Sequence, residues 1–277
     1  MTENYSTFTT PDGFTIHTVH WLPPHEPKAV ILLVHGVHEH SGRYTHVADA
    51  LNTAGYAVYA LDHRGHGRSS GQRGYFASLE QVVDDLEIYY RQIRASHPDK
   101  KIFVYGHSMG SLVSHMFLMR HQSEIAGWIS SGTPIDLDTA VPGALLPILQ
   151  VANRLIPQVA LIPLGAEGVS QDPQEVQEYV EDPLNVVGRV RVRSVAELVT
   201  QGQKMRAALG DLRVPMLIMH GTADPITPPA GSRTMMERAA STDKTLKLYE
   251  GFYHEVHNEP EQQRVFNDMI AWLDAHL

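Results

Sequence analysis

Gly106-His107-Ser108-Met109-Gly110 has the pattern Gly-x-Ser-x-Gly. The apolar run Lys101-Ile102-Phe103-Val104-Tyr105 precedes it, and residues 111–122 after it have a helix-like composition. Strand, sharp turn and helix in that order make the pattern a nucleophile elbow, with the serine hydroxyl held at the C-terminal edge of a sheet. Glycine two before and two after the serine suits a strained backbone that a β-carbon would block. Gly and Ser are common, so the same five residues also fit an ordinary strand-to-helix turn. Partners elsewhere in the chain choose between the two readings.

Outward from the elbow, short runs rich in β-branched and aromatic residues alternate with helical patterns. The runs are 29–34, 56–61, 101–105, 125–130, 214–220 and 244–250, most of them apolar nearly throughout. Strands buried on both faces have that composition. Upstream, runs 6–9 and 14–21 flank Pro11-Asp12-Gly13, a hairpin turn signal. Ser78 with Gln81 reads as a capping box, and Leu79, Val82, Val83, Leu86, Tyr90 and Ile93 follow at helical spacing. Val265, Phe266, Met269, Ile270 and Leu273 give the last helix one apolar face. A hairpin followed by βα units predicts an α/β protein with a mostly parallel eight-stranded sheet and helices on both faces.

Residues 131–212 break the alternation. They hold no convincing strand and are cut by Pro134, Pro142, Pro147, Pro157, Pro163, Pro173 and Pro183. Compact domains seldom carry a bare loop of that length. Leu145, Leu149, Ala152 and Ile156 share one helical stripe. The segment therefore reads as an inserted helical cap, residues 134–207, on a core of 1–133 and 208–277.

A serine hydroxyl is a poor nucleophile unless a histidine takes its proton, and the histidine needs a carboxylate to fix its tautomer. With an elbow of this kind the chain order is Ser, Asp or Glu, then His. The run ending in His220-Gly221-Thr222-Ala223-Asp224 puts Asp224 after one strand, and Tyr249-Glu250-Gly251-Phe252-Tyr253-His254 puts His254 after the next. Both loops leave the same sheet edge as the elbow, whereas Asp211 and Asp243 precede their strands. Ser108, Asp224 and His254 are thus the candidate triad. Two backbone amides must receive the oxyanion. Met109 follows the nucleophile, and Val37 follows His35-Gly36 in the loop after the run at 29–34. The cluster His35, His38, Glu39, His40 invites a metal reading, but His38 and His40 are two apart where a zincin helix needs four. No metal and no cofactor are expected.

Composition narrows the alternatives. The chain has 277 residues, 43% of them apolar, enough for one large domain with an inserted lobe. With 22 Lys+Arg against 31 Asp+Glu, the formal charge is −9, which leaves no electrostatic footprint for nucleic acid. Without cysteine, a thiol nucleophile, a disulfide and a zinc–thiolate site are excluded. Residues 1–14 lack Lys, Arg and an apolar run, so no secretory signal is expected. No run of about 18 apolar residues predicts a membrane span. The expected compartment is the cytoplasm.

These parts together resemble the α/β-hydrolase superfamily and, within it, the monoacylglycerol lipases. The resemblance runs from Trp21 to Leu277. Its marks are His35-Gly36-Val37-His38-Glu39-His40-Ser41-Gly42-Arg43-Tyr44, Asp62-His63-Arg64-Gly65-His66-Gly67-Arg68-Ser69, the elbow, Asp172 to Leu184, His220 to Asp224, and Tyr253 to Glu259. Ser111 stands where the family usually has another glycine. The resemblance implies an α/β-hydrolase fold and an esterase acting on monoacylglycerols or related fatty esters. It implies that Glu39, Arg43, Tyr179 and His257 hold the glycerol. The stripe containing Leu149, with neighbours to Leu164, is the expected acyl lining. If partly exposed, it would also touch a membrane or micelle. A lysophospholipase, a general esterase, an aminopeptidase-like hydrolase and a non-catalytic binding member remain alternatives.

Overall fold

The computed structural model describes residues 2–140 and 145–277, so Pro142 lies outside the described residues. The N-terminal hairpin is β1 (Thr2–Thr9) and β2 (Thr15–Leu22). Then follow β3 (Val30–Val34), α1 (Thr45–Thr53), β4 (Ala57–Leu61), α2 (Leu79–Ser96), β5 (Ile102–His107), α3 (Met109–His121) and β6 (Gly127–Ser131). An insertion carries α4 (Leu137–Ala140), α5 (Leu146–Leu155), β7 (Ala160–Leu164), α6 (Pro173–Glu181), β8 (Gly188–Arg191) and α7 (Val192–Ala208). The chain closes with β9 (Met216–Gly221), α8 (Ala230–Arg238), β10 (Lys244–Tyr249) and α9 (Gln262–Ala275). Eight strands form one sheet in the order β1-β2-β4-β3-β5-β6-β9-β10, parallel from β4 to β10. This is the expected α/β-hydrolase fold.

The apolar strands are continuous because each feeds two cores. Val30, Leu32 and Val34 of β3 enter one core, with α2, α3, α7 and α8; Ile31 and Leu33 enter the other, with α1 and α9. Successive side chains of a strand point to opposite faces, so burial on both faces leaves no polar position. Ser78 caps α2 by accepting the Gln81 amide at 3.4 Å, which satisfies one of the free donors of a helix start.

The insertion differs from the expectation of helices alone. β7 and β8 form a separate antiparallel pair. The pair is all edge, so Pro163 costs it no ladder bond on a central strand. At the other end α7 packs Leu198 and Met205 into the main core. Its last turns are thus part of the body on which the insertion rests. Among the described residues, no helix is long and apolar enough to cross a membrane.

Candidate active site

Parallel strands deliver their C-terminal loops to one edge, and the candidate residues meet there. Ser108 joins β5 to α3 with φ 51° and ψ −122°, a conformation closed to relaxed L-residues. Its amide donates to Ser131 O at 2.9 Å and its carbonyl accepts the Ser111 amide at 2.9 Å. Close approach explains the flanking glycines. A Cβ on Gly106 would lie 2.6 Å from Gly110 O, and one on Gly110 would lie 2.0 Å from Val34 O. Ser111 is fully buried and donates its hydroxyl to Gly106 O at 2.7 Å. It braces the elbow rather than disturbing α3.

Asp224 lies after β9 and His254 after β10. His254 Nδ1 is 2.7 Å from Asp224 Oδ2. The carboxylate is held on all sides. Oδ1 accepts the amides of Ile226 at 2.8 Å and Thr227 at 2.9 Å. Oδ2 accepts the Thr227 hydroxyl at 2.7 Å and lies 3.0 Å from His220 Nε2. Burial alone would raise the Asp224 carboxyl; the His254 charge and bonds from His220 and His254 hold it well below the usual range. Burial pulls His254 down, but Asp224 outweighs it and its pKa is raised. An imidazole whose Nδ1–H rests on a carboxylate presents Nε2 as a base.

The loop after β3 runs against the nucleophile: a Cβ on Gly36 would lie 3.2 Å from Ser108 Cβ. Among the described residues, neither the Val37 nor the Met109 amide donates to a protein acceptor. Such free amides beside a nucleophile can receive an oxyanion. Glu39 supports the loop from below. Its Oε1 accepts the Gly36 amide at 2.6 Å and the Tyr44 hydroxyl at 2.8 Å, and its Oε2 accepts Arg43 at 3.0 Å. Arg43 also makes two 2.7 Å bonds to Glu255, the residue after His254. Burial raises the Glu39 carboxyl to about 7, with Arg43 opposing and Glu255 adding. Burial would also raise Glu255, but Arg43 holds it well below the usual range.

A cavity of about 190 Å³ contains Ser108 and His254 in its wall. Its apolar lining includes Leu137, Ile162, Leu164, Val190, Leu198 and Val199. Glu39 and Tyr179 line it as well. Three expected substrate contacts fall outside the lining. Arg43 stacks its guanidinium 4.8 Å from the Tyr179 ring centre. His257 is fully buried, stacked on Tyr44 at 4.8 Å, with Nδ1 3.3 Å from the Tyr105 hydroxyl. Leu149 sits on α5, which packs against α7. The β7–β8 pair and α7 supply the apolar wall instead. Helical periodicity says which residues share a face, not what that face meets.

Residues to which the sequence assigned no role complete the frame. His220 and Thr227 hold Asp224, Glu255 fixes Arg43, and Glu259 accepts the Tyr253 amide at 2.6 Å. The spacing of Asp224 to Thr227 is a local side-chain-to-backbone signal that could have been read. The histidine cluster has a structural explanation: His35 Nε2 accepts the His63 amide at 2.9 Å, so its Nδ1–H donates to Gly36 O at 2.7 Å. Among the described residues, no group of three or more His, Asp or Glu is arranged to hold a metal ion.

The sequence model of the Hydrolase_4 family, described as serine aminopeptidase S33, matches residues 25–261. A monoacylglycerol lipase of Mycolicibacterium smegmatis is 38% identical over 257 residues, covering 93% of this chain and 92% of its own. The Homo sapiens monoglyceride lipase is 33% identical over 266 residues, covering 95% and 88%. A soluble variant of the Saccharomyces cerevisiae monoglyceride lipase, solved with a substrate analog, superposes with a TM-score of 0.89 at 26% identity, covering 100% of this chain and 95% of that one.

Proposed function

The chain belongs to the Hydrolase_4 family of α/β-hydrolases and is a serine hydrolase, and from that premise we propose that it cleaves monoacylglycerols to fatty acid and glycerol. Ser108 Oγ attacks the ester carbonyl while His254 Nε2 takes its proton. Asp224 keeps the proton on Nδ1 and stabilises the imidazolium. The Val37 and Met109 amides receive the oxyanion, and one such donor contributes about 10²–10³ in turnover. The imidazolium returns the proton to the glycerol oxygen as the C–O bond breaks, leaving acyl-Ser108. Water then gives a proton to His254 and attacks the acyl carbon; as the bond to Ser108 Oγ breaks, the imidazolium returns that proton to Oγ, releasing the fatty acid and restoring the serine. The acyl chain lies along Ile162, Leu164 and Val190, where each buried methylene contributes about 0.8 kcal/mol. Glu39 and Tyr179 face the glycerol. Ile148, Val151 and Leu155 of the insertion, all exposed, form the surface that meets a membrane or micelle.

The observation that carries this reading is a His254 bonded to Asp224 at 2.7 Å that shares one cavity wall with a strained Ser108. The deciding experiment incubates the protein with a monoacylglycerol and measures glycerol and fatty acid. Ser108→Ala should release neither, and a fluorophosphonate should label wild type alone. Labelling of Ser108 without glycerol release would remove the substrate from the proposal and keep the nucleophile. The family description supports an aminopeptidase as a second reading. That chemistry needs a free carboxylate for the substrate amine, whereas Glu39 already accepts three hydrogen bonds. Turnover of aminoacyl amides in place of monoacylglycerol would reverse the preference.

A further inference from the structure

The insertion is fastened to the loop after β3 by five residues, 182–186. Asp182 Oδ2 lies 2.8 Å from His40 Nε2. His40 Nδ1 accepts the Gly42 amide at 3.1 Å, so Nε2 carries the proton and donates to Asp182. Asp182 Oδ1 accepts the Leu184 amide at 2.8 Å, which closes the turn. The Val186 amide donates to His38 O at 2.9 Å. Arg73, in the loop after β4, holds the same five residues from another side by donating to the carbonyl of Leu184, and it also donates to Gly67 of its own loop.

What these bonds hold is a strained residue. His38 has φ 68°; among the described residues only Ser108 shares a positive φ without being glycine. The ring of His38 is buried, and no hydrogen bond from its side chain to its own loop fixes the backbone; its polar contact is with the backbone of Val186, one of the same five residues. A β-carbon disfavours the left-handed region. Such a conformation persists only where the surroundings over-determine it. Rotation about this φ swings the Val37 peptide relative to residues 182–186.

We propose that residues 182–186 are a positioning element for the oxyanion hole, keeping His38 left-handed and the Val37 amide aimed at the oxygen over Ser108. This inference rests on the esterase reading above. An oxyanion donor acts only when its hydrogen points at the transition-state oxygen. The ties through Asp182 and Val186 therefore act on turnover and leave substrate binding alone, whereas Asn185 donates to the carbonyl of Tyr179 at 2.9 Å and holds the substrate side.

Asp182→Asn tests this on a partly exposed side chain. The amide can satisfy either the Leu184 amide or His40, not both. With a p-nitrophenyl ester, kcat should fall about tenfold, the size of the left-handed penalty, at unchanged KM. Affinity for an alkyl boronic acid, which mimics the tetrahedral oxyanion, should fall in parallel. His38→Ala and His38→Gly delete the same ring, yet only glycine takes a positive φ freely. His38→Gly should keep several-fold more kcat than His38→Ala, and Asp182→Asn should cost much less in the His38→Gly background. End-point fluorophosphonate labelling counts intact sites, so misfolding cannot imitate the result. An unchanged kcat per labelled site in Asp182→Asn, a rise in KM alone, or a fully additive double variant overturns the proposal. A wild type that neither labels at Ser108 nor turns over the ester overturns the esterase reading instead.

Discussion

At Arg43 a single guanidinium faces two buried carboxylates, Glu39 and Glu255, one on each catalytic loop. Both carboxylates are buried. Arg43→Met should therefore cost about 3–5 kcal/mol of stability, the penalty for stranding a buried charge. Urea denaturation measures this, and a loss below about 1 kcal/mol would mean that the guanidinium is dispensable to the fold. His254 makes the second prediction at this scale. It must be neutral to accept a proton, and Asp224 raises its pKa. Activity should fall as pH drops through a midpoint above the ordinary histidine value of about 6.5. Asp224→Asn removes the raising charge, so the midpoint should move down while turnover falls about 10⁴. A pH–rate profile whose acid limb stays in place in Asp224→Asn would assign the carboxylate elsewhere.

Among the elements, the β7–β8 pair and α5 divide two roles that a single stripe was expected to combine. Ile162, Pro163 and Leu164 of β7 line the cavity, while Leu161 is exposed. α5 lies outside it and turns Ile148, Val151 and Leu155 to solvent. Ile162→Trp should then shorten the preferred acyl chain and spare short esters, whereas Leu149→Trp should change neither. Hydrolysis of p-nitrophenyl esters of graded length gives the answer. A shortened profile from Leu149→Trp alone would return the acyl wall to α5.

The whole molecule is a two-core sheet with an insertion tied back at both catalytic loops. The Glu255 amide donates to Val169 O at 2.8 Å and the Val186 amide to His38 O at 2.9 Å. The insertion thus carries the wall of the site on one side and an apolar surface on the other. Replacing Ile148, Val151 and Leu155 together by Glu should weaken adsorption to lipid vesicles and slow hydrolysis of vesicle-borne monoacylglycerol. Hydrolysis of water-soluble p-nitrophenyl acetate should be unaffected. Sedimentation with vesicles and the two assays check it; equal loss on both substrates would mean that the face serves the fold.

The elbow, the buried strands and the placement of Asp224 and His254 after β9 and β10 were legible along the chain, because each is a local pattern. A fully apolar run means two covered faces, and Gly-x-Ser-x-Gly between strand and helix leaves one sharp turn. The β7–β8 pair was not legible: its strands have five and four residues, one containing Pro163 and the other opening at Gly188. Short alternation of that kind has no local signature. The Arg43–Glu255 pair joins residues 212 apart, and His40–Asp182 joins residues 142 apart. Only folding brings those groups together, because such pairing is set by distance in space. The same holds for His38: histidine tolerates a left-handed backbone better than most residues, but the bond from Val186 that accompanies it exists only in the folded chain. Local chemistry determined which groups could react; tertiary contacts decided which of them face the cavity and which brace it.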